Sequence, residues 1–76
     1  MSEVEWIKIF GQNLDEMLIE ANMTQRELAE DTGLTEATIS RYINGRRMPT
    51  VRALVNIAYS LNCSFDELMD FGDVLE

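Results

Sequence analysis

Residues 24–50 read TQRELAEDTGLTEATISRYINGRRMPT, and the spacing inside this stretch decides the fold. Ala29, Gly33 and Ile39 follow the pattern AxxxGxxxxxI. That pattern predicts two short helices packed around a tight turn. A bulky residue at 29 would push the helices apart, and a β-carbon at 33 would strain the turn. Ile39 is the apolar anchor that pulls the second helix onto the first. Thr24 and Glu27 form a capping box, in which each side chain satisfies the other's exposed amide, so the first helix starts there and Gly33 ends it. Leu28 and Ala29 face inward. Thr35 caps the next helix, which carries Ile39, Tyr42 and Ile43 and stops at Asn44 and Gly45, a pair that favours left-handed backbone. Arg46, Arg47, Met48 and Pro49 then form a connector, because Pro49 disfavours helical conformation in the residue before it.

Outward from this core motif the helical period continues on both sides. Ile7, Phe10, Leu14, Met17, Leu18 and Ala21 recur at steps of three and four, which predicts a helix over residues 4–21. Asn22 suits its left-handed cap, with Met23 as the apolar residue that follows. On the other side Thr50 caps a helix with Leu54, Ile57, Ala58 and Leu61 inward, closed by Asn62 and Cys63. Ser64 with Glu67 makes a second capping box and opens a fifth helix bearing Phe65, Leu68, Met69 and Phe71, ended by Gly72. No segment is left for a strand. The reading is an all-α, compact five-helix domain over residues 1–76, with its core at 7–71. Trp6, Phe10, Tyr42, Tyr59 and Phe65 are read as packing residues, and Cys63 as a small buried hydrophobe.

With 76 residues there is room for one small core. A content of 46% hydrophobic and 26% charged residues predicts a folded chain rather than an acidic disordered tail. The chain has 0 His and 1 Cys, which removes CxxC pairs, His-containing zinc sites, Ser-His-Asp triads and disulfide frameworks. No cofactor, metal or catalytic role is expected. Residues 53–65 carry no formal charge but are too short and too polar to span a bilayer, and the acidic start is unlike a secretory signal. A cytoplasmic protein without membrane contact is the expectation.

The net charge of −8 is unevenly placed. Residues 1–22 hold Lys8 against Glu3, Glu5, Asp15, Glu16 and Glu20. Residues 53–76 hold five carboxylates and no cation. All five arginines, Arg26, Arg41, Arg46, Arg47 and Arg52, lie between 26 and 52. The acidic surfaces are read as solvated faces that keep the protein soluble or, alternatively, as a docking surface for a basic protein partner.

The stretch at 24–50, followed by LVNIAYSLNCSFDELM at 54–69, resembles the Cro/C1-type, lambda-repressor-like helix-turn-helix family of phage and bacterial transcriptional regulators. The resemblance implies a domain that binds double-stranded operator DNA, commonly as a homodimer, and represses or activates transcription. It places the helix-turn-helix at 25–44 and makes the third helix the recognition helix, with Thr35, Glu36, Ala37, Thr38 and Arg41 on its free face and Ser40 flanking them. Such side chains have the chemistry to read base edges: Arg41 guanine, Glu36 a cytosine amino group, Ala37 or the Thr38 methyl a thymine. Glu36 is also explained by the helix N-terminus, which favours negative charge. Gln25 matches a glutamine that in relatives touches the DNA backbone; Thr24 beside it, and more weakly Thr50, sit at helix starts whose free amides suit phosphate. Arg46 and Arg47 occupy a loop where relatives contact phosphates or a minor groove. The arginines are alternatively ordinary surface charge with local ion pairs, for example Arg26 with Glu30 one turn on; Arg26 is given no DNA role. Many relatives pair a glutamate before the Asn-Gly with an arginine on the first helix; Ile43 and Leu18 stand there instead, a change the fold tolerates. Larger relatives sense ligands through a second domain, which a chain this short is expected to lack. The expected dimer surface is the fifth helix and tail, with Phe71, Val74 and Leu75. The rival expectation is a protein-interaction module of the same fold, an antitoxin or adaptor that binds DNA weakly or not at all.

Overall fold

The computed structural model describes residues 2–70. They form five helices, α1 Glu3–Ala21, α2 Gln25–Thr32, α3 Glu36–Ile43, α4 Val51–Leu61 and α5 Phe65–Leu68, with no strand among the described residues. The all-α, five-helix expectation holds. α1 packs against α3, α4 and α5, while α2 packs against α3 and α4. Phe10, Leu14, Leu28, Ile39, Ile57 and Leu68 are fully buried at the centre. Trp6 stacks on Phe10 with ring centroids 5.8 Å apart, and Phe10 meets the edge of Tyr42 at 5.9 Å, so one aromatic column ties α1 to α3.

Every helix starts on a hydroxyl. Ser2, Thr24, Thr35, Thr50 and Ser64 each accept a hydrogen bond from the backbone amide three residues on, which satisfies a donor the helix itself cannot. Both expected capping boxes are complete. The exits of α1 and α4 also match each other. Asn22 (φ 53°) and Asn62 (φ 52°) take the left-handed step, and the amides of Met23 and Cys63 then reach back to the carbonyls of Leu18 and Ala58 at 3.0 Å. Each exit runs straight into a capping box, so two sharp corners are built by one local device, Asn-x-Thr/Ser-x-x-Glu. Cys63 is half-buried in the second corner, and burial, aided by the Glu67 carboxylate, pushes its thiol up from the ordinary value.

Four details differ from the sequence reading. α5 ends at Leu68, capped by Met69; Phe71 and Gly72, expected to extend and end it, lie outside the described residues, as do Val74 and Leu75. Tyr59 and Phe65 are not core residues, being 89% and 43% exposed. Tyr59 falls on the outer side of α4, because Leu54, Ile57 and Ala58 take the inner one. Phe65 sits at the first position of a helix so short that Leu68 fills its place in the core. Ala21, at the end of the α1 stripe, is exposed beside the corner. At the end of α3, Asn44 stays right-handed (φ −84°) and Gly45 alone makes the left-handed step (φ 67°). The amides of Gly45 and Arg46 donate to the carbonyls of Tyr42 and Arg41, a pairing that needs just one residue of positive φ.

A glycine not singled out by sequence brings α1 against α3. A β-carbon on Gly11 would collide with the carbonyl oxygen of Tyr42 and come within 2.7 Å of that of Ile43. The apolar replacement for the family's ion pair fits the interior: Leu18 is buried and Ile43 packs against the core.

Candidate nucleic-acid interface

The α2–turn–α3 unit is held from within. Leu28, Ala29, Ile39 and Tyr42 are buried, and Gly33 (φ 76°) returns its amide to the Ala29 carbonyl at 3.0 Å. Open space surrounds the position of a Gly33 β-carbon, so glycine is required there by backbone conformation alone. With Ile39 and Tyr42 turned inward, the 3.6-residue period leaves Glu36, Ala37, Ser40, Arg41 and Asn44 along one outer face.

Glu36, Ala37, Ser40 and Arg41 of the expected contact residues lie on this face. Glu36, Ala37 and Arg41 are exposed, and no carboxylate lies within ion-pair distance of Arg41 among the described residues. Ser40, expected at the flank, lies between Glu36 and Asn44 on the face itself. Thr38 is displaced to the rim: it is half-buried, its amide donates to the Thr35 hydroxyl at 3.1 Å, and its own hydroxyl accepts from Thr35 at 2.8 Å. Thr35 is thereby occupied as the α3 cap. Thr24 is likewise engaged with Glu27 (3.0 and 3.1 Å) and Thr50 with the Ala53 amide (3.0 Å). These three residues position helix starts, and Gln25 follows its cap half-exposed. Arg46 and Arg47 are exposed in the loop. Arg26 pairs with Glu30 at 3.4 Å as expected, an exposed contact of little energetic weight.

Two residues of this region escaped the sequence reading. Asn44 was read as a helix stop, yet its amide donates to the Ser40 carbonyl (2.9 Å) and hydroxyl (3.2 Å). Its side chain is thereby fixed against Ser40; its spacing of eight from Glu36 was the available signal. By sequence Lys8 belongs with the acidic first helix, yet its stem covers Gly45. A β-carbon there would lie 3.1 Å from Lys8 Cγ and 3.4 Å from its Cα. No local pattern links two residues so far apart in sequence.

A family model for the Cro/C1-type HTH DNA-binding domain matches residues 13–73. The transcriptional repressor RstR of a cryptic CTXphi phage in Vibrio cholerae is 38% identical over 47 residues, 62% of this chain and 42% of that protein. The uncharacterised HTH-type transcriptional regulator y4dJ of Sinorhizobium fredii is 34% identical over 62 residues, 82% of this chain and 80% of the relative. Among solved structures, the restriction-modification controller protein C.AhdI from Aeromonas hydrophila superposes with a TM-score of 0.79 at 26% identity, covering 82% of this chain and 94% of that one. The chain thus spans less than half the length of the RstR repressor and most of the length of the other two. By the extent of the family match and of the likeness to y4dJ, it belongs to the Cro/C1-type helix-turn-helix DNA-binding family.

Proposed function

We propose that residues 1–76 act as one DNA-binding domain of a transcriptional regulator, a repressor of phage or bacterial type, that reads an operator's major groove with α3. The observation that carries this reading is the outer face of α3: Arg41 is exposed with no carboxylate within ion-pair distance among the described residues, beside Glu36, Ala37, Ser40 and Asn44, on a helix held rigidly by Ile39 and Tyr42. Arg41 pairs with a guanine, Glu36 with a cytosine amino group, and Ala37 with a thymine methyl, with Thr38 confined to the rim. Thr24 and Gln25 at the start of α2, and Thr50 at the start of α4, set helix amides towards phosphates, while Arg46 and Arg47 hold the backbone beyond α3. The protein works by binding, in the cytoplasm where operator DNA is found. No helix among the described residues is long and apolar enough to cross a membrane.

The working form is a homodimer on a two-fold operator, with recognition helices about 34 to 36 Å apart. Exposed Val51, Val55 and Tyr59 support it, since they repeat every four residues and form an apolar stripe on the outside of α4. The charge supports the same occupant. Residues 51–62 hold one cation, Arg52, and no acid of their own; Asp31 of α2, which accepts from the Ser60 hydroxyl, sits at the edge. With most carboxylates elsewhere, this face lets a second strongly acidic copy approach, whereas a basic partner would seek those carboxylates.

Selection of bound sequences from a random duplex library at moderate salt tests the reading, with Arg41→Ala alongside. A two-fold motif enriched by the native chain, and lost or relaxed at one position in the variant at a cost of about 1–3 kcal/mol, is the expected result. Enrichment of no motif by a folded native chain overturns it. The second reading, a protein-interaction module, is favoured by a groove lined by Asn13, Glu16, Met17, Glu20, Glu67 and Asp70, whose four carboxylates suit a basic protein. A basic protein co-purifying at fixed stoichiometry, with no DNA motif, would establish that alternative.

A further inference from the structure

Lys8 is the only cation in the chain outside residues 26–52, and on the sequence it belongs to the acidic first helix. The fold moves it. Gly11 lets α1 press against the last carbonyls of α3, and one turn earlier the stem of Lys8 lies across Gly45, with Cγ, Cα and Cβ at 3.1, 3.4 and 3.8 Å from where a glycine β-carbon would be. Gly45 is the residue between Asn44, at the end of the outer α3 face, and Arg46. The stem is therefore anchored on the loop that carries Arg46 and Arg47, and the side chain is exposed. No carboxylate approaches its ammonium within ion-pair distance among the described residues, although residues 1–22 contain five acids. A lysine anchored along its stem, free at its tip and packed on the loop that carries two exposed arginines is a point charge suited to a phosphate oxygen.

We propose that Lys8 binds a DNA backbone phosphate together with Arg46 and Arg47, so that the DNA-binding face extends from the helix-turn-helix onto α1. This rests on the DNA-binding reading above. It assigns α1 a positioning role: a phosphate held between Lys8 and the loop fixes how far α3 reaches along the groove without choosing any base. The same lysine also lies near the C-terminal carbonyls of α3, where a positive charge is favourable even without DNA. The test has to separate these two roles.

Equilibrium binding to the duplex enriched by the native chain is measured over a range of salt, for the native chain, Lys8→Gln and Lys8→Arg, with urea unfolding of each. Each phosphate neutralised contributes about 0.9 to the slope of log affinity against log salt. Lys8→Gln is expected to flatten that slope by about one and leave the preferred sequence unchanged. Between 50 and 200 mM salt the native affinity then falls about 3.5-fold more than that of the variant. Lys8→Arg restores the native slope. A Lys8→Gln slope equal to the native one overturns the proposal, and if its stability alone has dropped, Lys8 serves the end of α3 and not DNA. A native chain that selects no duplex overturns the DNA-binding reading and this proposal with it, a result distinct from native binding with an unaltered slope.

Discussion

Gly11 and Gly33 show two ways in which a single residue constrains this fold. Gly33 is required by its own φ of 76° in open space, whereas Gly11 lies inside a regular helix and is required by the carbonyl oxygens of Tyr42 and Ile43. Substituting Gly11 by alanine gains about 1 kcal/mol of helix propensity. The added methyl group meets backbone that has no rotamer to retreat into, so α1 and α3 must separate. The net expectation is a loss of about 1–3 kcal/mol in urea unfolding, in the range for overpacked interiors. A Gly11→Ala protein as stable as the native one would show that the two helices are free to move apart. The contrast also marks what was legible. Gly33 could be read because its requirement is local and the spacing to Ala29 and Ile39 announces it. Gly11 and Lys8 could not, because their partners lie at the far end of α3 and a lone glycine in a helical stripe signals only a weaker helix.

At the level of elements, what the sequence carried best was the helix starts, because a cap is a contract between residues three apart. The two capping boxes and the Asn22 and Asn62 exits formed as their local chemistry demands. The extent of α5 was not legible in the same way. Four residues are far too few to stand as an isolated helix, so its persistence depends on tertiary contacts: Leu68 buried beneath it and the Asn13 side chain of α1. That amide donates to the carbonyls of Leu68 at 2.9 Å and Asp70 at 2.8 Å, groups that the end of a helix leaves without intrahelical donors. Asn13→Ala is expected to remove both bonds, at about 0.5–1.5 kcal/mol each. Amide hydrogen exchange should then quicken at Leu68 and Met69 while that of Leu14 and Ile57 changes little, because the loss is confined to the tether. Equal protection at Leu68 and Met69 in both proteins would mean that burial of Leu68 alone holds α5.

For the whole molecule the decisive quantity is a charge of −8 arranged around a cationic pole and an apolar stripe on α4. The two surfaces respond to salt with opposite sign. Contacts of Arg41, Arg46, Arg47 and Lys8 with DNA weaken as salt rises, because releasing the DNA's condensed counterions into a more concentrated solution gains less free energy. Pairing of two copies through Val51, Val55 and Tyr59 strengthens, because the attraction is apolar burial and the opposing force is repulsion between two acidic bodies, screened over about 10 Å at 0.1 M salt. Sedimentation of the free chain should therefore show the dimer fraction rising from low to moderate salt. Tyr59→Asp should keep the chain monomeric throughout, since it sets two further carboxylates against each other at the interface, and Arg41→Ala should leave the dimer fraction untouched. A dimer that dissociates as salt rises would be held by ion pairs and would place the contact away from the α4 stripe. With the expected signs, operator occupancy passes through a maximum in salt concentration: at low salt the chain lacks its partner copy, and at high salt it loses its hold on the phosphates.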